Sequence, residues 1–400
     1  MKAKSTKLPP SIPGKRFHSL AALLVLVPAT FTAEISSAVT EEDAAAYFSD
    51  TYQEARLKFF AAATAAGGTL EKYHNPHHGA EGEALYTDVA TFNLPGAKTI
   101  LVLGSGTHGV EGFAGSALQV GLLRKGITEK LPDDVGLLFY HALNPYGFSH
   151  LRRFNENNVD LNRNFIDHHL PHPANEGYDE LSWIVEPNSL STWENLKAKI
   201  SVAWYRMTRG AHWLQSAISR GQYNHPKGIF FGGTTETWSN HTLQKIVERH
   251  LSQASRVVLV DVHTGLGEYG AVEGITEIDP GTSRYEWMLR CSGIPITNPL
   301  AGDAVSPPVH GPLKRGFERL LLNAEVIAVS LEFGTYPPSK VLWALRAENY
   351  LHHQGDLTRP DASEIKAELK RMFYPQEEDW KHAVWQQGSA MVLKTLDCLH

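Results

Sequence analysis

The sequence has little cysteine and no excess of positive charge. Only Cys291 and Cys398 occur in 400 residues, which is too few for a disulfide framework. They could pair, but nothing in the sequence favours it. With so few thiols, a metal site would have to use histidine and carboxylate ligands rather than thiolates. Lys and Arg number 37 against 43 Asp and Glu, which argues against nucleic-acid binding, because such proteins carry a basic surface.

The sequence also lacks a hydrophobic run long enough to cross a membrane, which takes ~20 residues. The apolar run at the amino terminus, residues 19–27, follows a basic opening and precedes small residues at 36–38. This order is typical of a secretory signal peptide. We therefore predict a signal peptide over residues 1–38 and a secreted or periplasmic protein. A disordered tail or a misassigned start codon, with a cytoplasmic protein, is the alternative.

The chain has no internal repeat, and its length exceeds the ~250–300 residues that a single core usually accommodates. We therefore expect one large domain over residues 39–400 that carries an insertion, which we place at residues 166–255. Within it, residues 191–220 have a helical pattern. Long excursions between strands are often functional, so we expect the insertion to shape the rim of a pocket. A helical layer that covers the sheet is the alternative.

Alternating strand and helix patterns predict an α/β fold. Two apolar runs, 100–103 and 135–141, predict buried strands, and residues 112–125 between them predict a helix. Strand, helix and strand at this spacing form a βαβ unit of a parallel sheet. Two later runs, 256–262 and 326–333, predict further buried strands.

The amino-terminal part of the domain predicts one helix and one strand. Residues 41–66 are rich in alanine and predict an amphipathic helix, and residues 85–92 alternate loosely, as in a strand at a sheet edge. The helix side chains that we expect to reach the core are Phe48, Tyr52, Leu57 and Phe60.

Polar side chains lie at or just beyond the ends of three predicted strands. His108 and Glu111 come after the glycines that end the first strand, His263 follows the third, and Glu332 lies near the end of the fourth. Because open α/β sheets place their chemistry at the carboxyl ends of strands, we expect these side chains to meet. Imidazole and carboxylate are ordinary zinc ligands, and catalytic sites use about three of them with water. We therefore predict that His108, Glu111 and His263 bind one zinc ion per chain.

Glu332 is not needed as a ligand in this arrangement. We predict that it is the catalytic base, which takes a proton from water and passes it to the leaving amine. Structural roles are the alternatives: His108 and Glu111 as a surface pair, His263 as a turn cap, and Glu332 as a partner in a buried salt bridge.

The segment 144–165 is irregular and rich in asparagine and arginine, a composition that indicates a binding loop. Arg153 can stabilise the oxyanion that develops on an attacked carbonyl. Asn162 and Arg163 can hold a carboxylate of the substrate, for which the planar guanidinium is well suited. The alternative for Asn162 and Arg163 is that they only stabilise the loop.

The candidate residues fall within five short motifs: His108-Gly-Val-Glu111, Asn144-Pro-Tyr-Gly147, Asp160-Leu-Asn162-Arg163-Asn-Phe, Asp261-Val-His263 and Glu332-Phe-Gly-Thr. Together they resemble the zinc carboxypeptidases of the carboxypeptidase A type, in a bacterial-type branch, and the related aspartoacylases and succinylglutamate desuccinylases. The resemblance covers residues 100–335. The chain departs from it at Tyr146, where the family pattern has aspartate.

The resemblance implies a three-layer α/β/α sandwich around a mixed, mainly parallel sheet. It also implies that Asp160 supports a zinc-ligating histidine from behind, and that Arg153 is the residue that clamps the carbonyl. Arg152, one residue earlier, is the alternative for that clamp.

Ligands, base and anion-binding residues together predict a zinc-dependent metallohydrolase of an amide bond, and the resemblance implies a metallocarboxypeptidase that acts on peptides. A deacylase of small N-acyl amino acids is the first alternative, since the same residues serve both reactions. The second is a non-catalytic peptide-binding protein on the same fold, which would have no need of Glu332. We expect a peptide or a small N-acyl amino acid as the partner, with no nucleic acid and no stable membrane span.

Overall fold

A mixed sheet of eight strands forms the centre of the structure, a computed structural model that describes residues 44–355 and 357–399. The predicted signal peptide lies outside the described residues. Among them, no helix combines the length and the apolar character that a membrane crossing requires. The strands are β1 (Thr69–His78), β2 (Ala84–Phe92), β3 (Thr99–Gly104), β4 (Val135–His141), β5 (Arg256–Gly265), β6 (Val272–Ile275), β7 (Ile296–Thr297) and β8 (Glu325–Gly334).

The order of strands across the sheet is β1-β2-β4-β3-β5-β8-β6-β7. The pairs β3–β4, β3–β5, β5–β8 and β6–β7 are parallel, and the pairs β1–β2, β2–β4 and β6–β8 are antiparallel. The predicted fold, a mixed and mainly parallel sheet, is thereby confirmed. The two predicted strands of the βαβ unit, β3 and β4, are parallel neighbours.

Twelve α-helices lie wholly within the described residues. They are α1 (Tyr52–Ala65), α2 (Gly112–Arg124), α3 (Pro145–Ser149), α4 (Glu176–Val185), α5 (Thr192–Arg209), α6 (Ala211–Ser219), α7 (Trp238–His250), α8 (Ser283–Ser292), α9 (Leu313–Leu320), α10 (Pro338–Gln354), α11 (Ala362–Phe373) and α12 (Glu378–Asp397).

Helices cover both faces of the sheet because successive strand side chains point to opposite faces. Ile100 and Val102 of β3 belong to a buried cluster with residues of α7 and α9. On the other face, Gln119 of α2 donates hydrogen bonds to the backbone oxygens of Leu103 and Tyr140, and α1 and α12 pack against α2. The architecture is the expected α/β/α sandwich.

Two expectations for the amino-terminal part are wrong. The strand at residues 84–92 is not at the edge, because the polar segment Thr69–His78 pairs with it as β1 and takes that position. The long helix of this part runs only from Tyr52 to Ala65, and its Leu57 and Phe60 are 70% and 43% exposed. Phe59 lies in the core instead, since Tyr52, Ala55, Phe59 and Ala62 form the inward face at helical spacing. Phe48 and Tyr52 are buried as expected.

Cys291 and Cys398 form a disulfide that joins the end of α8 to the residue after α12. The two cysteines are 107 residues apart, and a loop of about that length gives a stabilisation of about 5 kcal/mol in the chain-entropy account. Replacing both cysteines with alanine should therefore lower the free energy of unfolding by that amount, measured by urea denaturation. The reduced wild-type protein is the control and should match the variant; an unchanged midpoint would contradict the prediction.

Candidate metal centre

Three parallel strands carry the candidate residues to one edge of the sheet. The chain leaves β3 at Gly104 and reaches His108 four residues later, whereas His263 and Glu332 lie within the last residues of β5 and β8. The register of the β5–β8 pair sets His263 beside Glu332. β4 and β5 lie on opposite sides of β3, so the edge above β3 is a topological switch point, where open α/β sheets form binding crevices.

His108, Glu111 and His263 converge on a single point. The Nδ1 atoms of the two imidazoles lie 3.2 Å apart. The Glu111 carboxylate reaches both, with Oε1 3.0 Å from Nδ1 of His108 and Oε2 3.3 Å from Nδ1 of His263. One ligand atom from each residue lies within 4.8 Å of the others, and all three side chains are buried. The group could hold a metal ion, and two imidazoles with a carboxylate are a donor set that suits zinc.

A short 3-10 turn, Gly109–Glu111, sets the spacing between the first two of these residues. Its backbone is fixed from outside, since the amides of Gly109 and Val110 donate to the carbonyl oxygens of Arg153 and Arg152. A Cβ atom at Gly109 would lie 2.0 Å from the carbonyl carbon of Gly147, far inside contact distance. Glycine is therefore required between the histidine and the glutamate of this motif.

Each histidine is held from behind by its own buried aspartate. Nε2 of His108 lies 3.0 Å from Oδ1 of Asp160, and Nε2 of His263 lies 2.6 Å from Oδ2 of Asp261. These contacts direct both Nδ1 atoms toward Glu111, which is how aspartates orient the histidines of metal sites. The spacing Asp261-Val-His263 already contained the signal for Asp261, because residues two apart on a strand share a face.

Buried carboxylates outnumber the positive charges of this group. Burial opposes the charge of His263, but the carboxylates of Asp261 and Glu111 outweigh it and raise its pKa to about 10. Burial alone would raise the pKa of Asp160, but Arg153 and His108 hold that pKa well below its usual range. The side chains therefore create a negative site that binds a proton in the metal-free protein, and a divalent cation fits it.

Arg153 and Arg152, adjacent in sequence, go to different places. Arg153 lines the cavity described below. Its Nε donates to Oδ2 of Asp160 at 3.1 Å, and its Nη1 donates to Glu111. Its Nη2 lies 2.9 Å from Nε2 of His108. The rings of Phe230 and Phe373 lie 5.3 and 5.9 Å from its guanidinium. Arg152 is fully buried and faces the interior, where it pairs with Glu348 at 2.9 Å. Of the two candidates for the carbonyl clamp, only Arg153 faces the site.

Glu348 holds a buried charge cluster together, with Arg152 on one side and Lys366 at 2.6 Å on the other. The change Glu348→Gln should lower the free energy of unfolding by about 3 kcal/mol or more, because it leaves two buried cations without their anion. The measurement is urea denaturation. Glu368→Gln is the matched control, since its pair with Arg371 is exposed and exposed pairs contribute about 0–1 kcal/mol. Equal effects of the two changes would contradict the prediction.

Asn162 and Arg163 both line the cavity, and both also hold the surrounding chain. Oδ1 of Asn162 accepts from the amide of Leu313 at 2.8 Å, at the start of α9. Arg163 donates from Nε to the backbone oxygen of Ser219 at 3.1 Å and from Nη1 to that of Asn162 at 2.8 Å. The structure thus shows the loop-stabilising contacts, and it also turns these two side chains toward the cavity.

Glu332 faces the cavity beside the metal-ligand candidates. Its Oε1 accepts a hydrogen bond from the amide of Leu266 at 2.9 Å. In the metal-free protein, burial and the neighbouring Glu111 carboxylate raise the pKa of Glu332 to about 7. A carboxylate with a pKa near neutrality can both accept and release a proton, as general acid–base catalysis requires.

A cavity of about 540 Å³ opens above these residues. His108, His263, Glu332 and Arg153 lie in its wall together with apolar side chains. The apolar part comes from α5, α6 and α10, through Val202, Leu214, Ile218, Val341 and Leu345. In the segment between β4 and β5, α5 and α6 line the cavity and α7 packs on the sheet.

A protein-family model described as "Protein of unknown function (DUF2817)" matches residues 48–387. No curated protein matches the sequence. The fold is similar to that of the solved structures of thrombin activatable fibrinolysis inhibitor, carboxypeptidase A and succinylglutamate desuccinylase.

The match to thrombin activatable fibrinolysis inhibitor has a TM-score of 0.47 and 10% identity, over 90% of this chain and 76% of the other. For carboxypeptidase A from Helicoverpa armigera the TM-score is 0.42 and the identity 12%, over 82% of this chain and 75% of the other. For succinylglutamate desuccinylase from Chromobacterium violaceum the TM-score is 0.34 and the identity 18%, over 80% of this chain and 74% of the other.

Proposed function

We propose that this chain, which belongs to the family described as protein of unknown function (DUF2817), is a zinc-dependent hydrolase of amide bonds. The observation that carries the proposal is the convergence of His108, Glu111 and His263 on one point, with the Glu332 carboxylate left over on the cavity side. A structural cluster would not need a further carboxylate in the wall of a cavity. The cavity volume of about 540 Å³ lies in the range of ligand-binding pockets.

The substrate that we favour is the carboxyl-terminal end of a peptide. Asn162 and Arg163 would bind its carboxylate, since the terminal nitrogens of Arg163 keep N–H groups beyond those used on Asn162 and Ser219. The apolar wall from α5, α6 and α10 would take the last side chain. A cavity of this size admits a few residues and not the middle of a folded chain, which supports an exopeptidase.

The side chains would divide the reaction between them. When bound, zinc would act as a Lewis acid toward the amide carbonyl and lower the pKa of water. Glu332 would accept the proton of the attacking water and deliver it to the leaving amine. Arg153 would donate from its free N–H groups to the carbonyl oxygen, where negative charge develops. Asp160 and Asp261 would keep His108 and His263 in the orientation that presents Nδ1.

A deacylase of small N-acyl amino acids is the second candidate. The observation that favours it is that α5 and α6 add side walls to the cavity, because a walled cavity suits a small substrate. Such a substrate also has an amide bond and a carboxylate, and the same residues would serve.

The test is a substrate profile with the zinc-loaded protein. We expect release of the last residue from peptides with a free carboxyl terminus and an apolar last side chain. Matched peptides with an amidated terminus should react at least ~10-fold more slowly, because they lack the charge that Arg163 would bind. Cleavage of N-acyl amino acids alone would favour the deacylase. Binding of peptides with zinc present and no product would contradict both enzymatic functions.

We also propose that the protein is exported. The disulfide between Cys291 and Cys398 supports this, since disulfides persist in oxidising compartments and are rare in the cytosol. Alkylation of thiols in intact cells, followed by mass spectrometry, checks it. Unlabelled, oxidised cysteines are expected, and labelled cysteines would contradict export.

A further inference from the structure

Helix α5, Thr192–Arg209, carries a stripe of large apolar side chains that faces solvent. The stripe residues follow each other at intervals of three or four positions, which places them on one side of an α-helix. Their exposure runs from 46% for Leu196 to 78% for Met207. The members of this apolar stripe are Trp193, Leu196, Ile200, Trp204 and Met207.

The opposite face of α5 is fixed to the protein, so the stripe cannot turn inward. Ala198 is buried in the cluster that includes α4 and α6, and Val202 lines the cavity. Oδ1 of Asn195 accepts a hydrogen bond from Nη1 of Arg346 in α10 at 2.6 Å. An amphipathic helix normally turns its apolar side to the core, but here the core contacts use the other side.

Cations flank the apolar stripe. Helix α5 carries four basic residues and one acid, Glu194, in a protein whose net charge is −6. Glu194 pairs with Lys197 at 2.6 Å, and Arg209 pairs with Glu180 of α4 at 3.3 Å. Lys199 and Arg206 lie outside these pairs. At 100° per residue, Lys197 flanks one side of the stripe, and Lys199 and Arg206 flank the other.

We propose that α5 docks the protein on an anionic lipid surface. The five stripe side chains would enter the boundary between headgroups and acyl chains, and the flanking cations would lie at the level of the phosphates, as in interfacial amphipathic helices. Tryptophan suits this boundary, because its ring is apolar and its N–H is polar. Val202 and Arg206 of the same helix line the cavity. Docking would therefore place this wall of the cavity next to the membrane.

The size of the stripe favours a lipid surface over a second copy of the chain. With about 200 Å² for a fully exposed large side chain, the exposure of 46–78% in the five stripe residues amounts to about 600 Å² of accessible surface. A stable protein interface buries about 800 Å² on each partner. Insertion into a lipid boundary has no such threshold, because affinity grows with apolar area and with charge.

The test is co-sedimentation of the full chain with vesicles of phosphatidylcholine that contain about one third phosphatidylglycerol. We expect binding that weakens at high salt, and weaker binding to pure phosphatidylcholine. The double change Ile200→Glu with Trp204→Glu should reduce the partition coefficient at least ~10-fold, because it places two charges in the apolar boundary. The matched control is Leu57→Glu with Leu322→Glu, two residues that are 70% and 84% exposed elsewhere, and it should bind as the unchanged protein does.

Two more variants keep the test independent of folding. Met207→Glu alters the most exposed position of the stripe and should also weaken binding. Lys197→Gln with Lys199→Gln should lower binding to anionic vesicles about 10-fold and leave binding to pure phosphatidylcholine unchanged. Thermal unfolding verifies that each variant is folded.

Three results would overturn the proposal. The first is no binding of the full chain to anionic vesicles. The second is equal binding by the folded stripe variants, which would place the contact elsewhere in the chain. The third is a concentration-dependent dimer that the stripe variants abolish while vesicles remain unbound, which would make a second copy the partner. The assay measures binding alone, so its outcome is independent of amide hydrolysis.

Discussion

Replacing Glu332 with glutamine should lower amide hydrolysis by about 1,000-fold, within the range of general acid–base contributions, and should leave zinc bound. The amide keeps the size of the side chain and can still accept from the amide of Leu266, so the wall of the cavity stays in place. It cannot accept a proton from water. His108, Glu111 and His263 are untouched, and the metal content should remain one per chain.

The protonation of Glu332 at working pH follows from its surroundings. Without metal, burial and the Glu111 carboxylate raise its pKa to about 7. A bound dication favours the charged form of a nearby carboxylate and lowers that pKa. The rate should therefore increase as the pH rises through the lowered pKa and then level off, and the glutamine variant should lack this limb of the profile.

Glu277→Gln is the matched control. Glu277 lies in the wall of the same cavity and pairs with Arg315 at 3.0 Å rather than with the metal-ligand candidates. It should keep most of the activity. Zinc content by elemental analysis and initial rates on the best peptide give both readouts. An unchanged turnover in Glu332→Gln would remove Glu332 from the mechanism, and a loss of zinc would make it a ligand.

The sequence predicted the four central strands β3, β4, β5 and β8, and placed the candidate residues at their ends, because both depend on local patterns. Buried strands such as β3 and β5 are short apolar runs, and a polar residue at the end of such a run is conspicuous. The parallel arrangement then brings distant residues such as His108 and His263 together without any knowledge of side-chain geometry. The positions of the ligand candidates follow from these two facts.

Other features could not be predicted from the sequence because they depend on the direction in which each side chain or helix face points. Arg152 and Arg153 are neighbours in one loop, and only the backbone contacts with the Gly109–Glu111 turn decide which side chain faces the cavity. The apolar residues of α5 predicted a helix but not which side would be covered. For Leu57 and Phe60 the expected helical phase was wrong, since the core-facing side of the helix carries Phe59 with Ala55 and Ala62 instead.

Arg163 connects the insertion to the candidate metal centre. Its guanidinium holds the backbone oxygen of Ser219 at the end of α6, and its Nη1 lies 3.9 Å from Oδ1 of Asp160. Asp160 in turn holds His108. A movement of α6 would therefore reach the ligand candidates through three polar contacts, which offers a physical route from the cavity wall to the metal site.

Replacing His263 with alanine should abolish zinc binding. It removes one of three ligands and also leaves Oδ2 of Asp261 without its 2.6 Å contact with Nε2, while Oδ1 keeps the hydroxyls of Thr107 and Tyr140. The wild-type protein should gain about 4 kcal/mol of stability at a free zinc concentration 1,000 times the dissociation constant. The alanine variant should gain none, and its hydrolysis should fall to background. Thermal unfolding with and without zinc, together with metal content after dialysis, measures both.

The change Asp261→Asn tests the contribution of Asp261 to zinc binding while His263 stays in place as a ligand. An asparagine keeps the shape but lacks the negative charge that raises the pKa and the basicity of His263, so zinc affinity should fall 10- to 100-fold, as is usual for such partners. His241→Ala, which changes an exposed histidine of α7, is the control and should behave as the wild type does. If His263→Ala kept the full zinc-dependent gain in stability, the metal would have to bind elsewhere. The convergence of His108, Glu111 and His263 would then be a proton-binding cluster of the fold and not a metal centre.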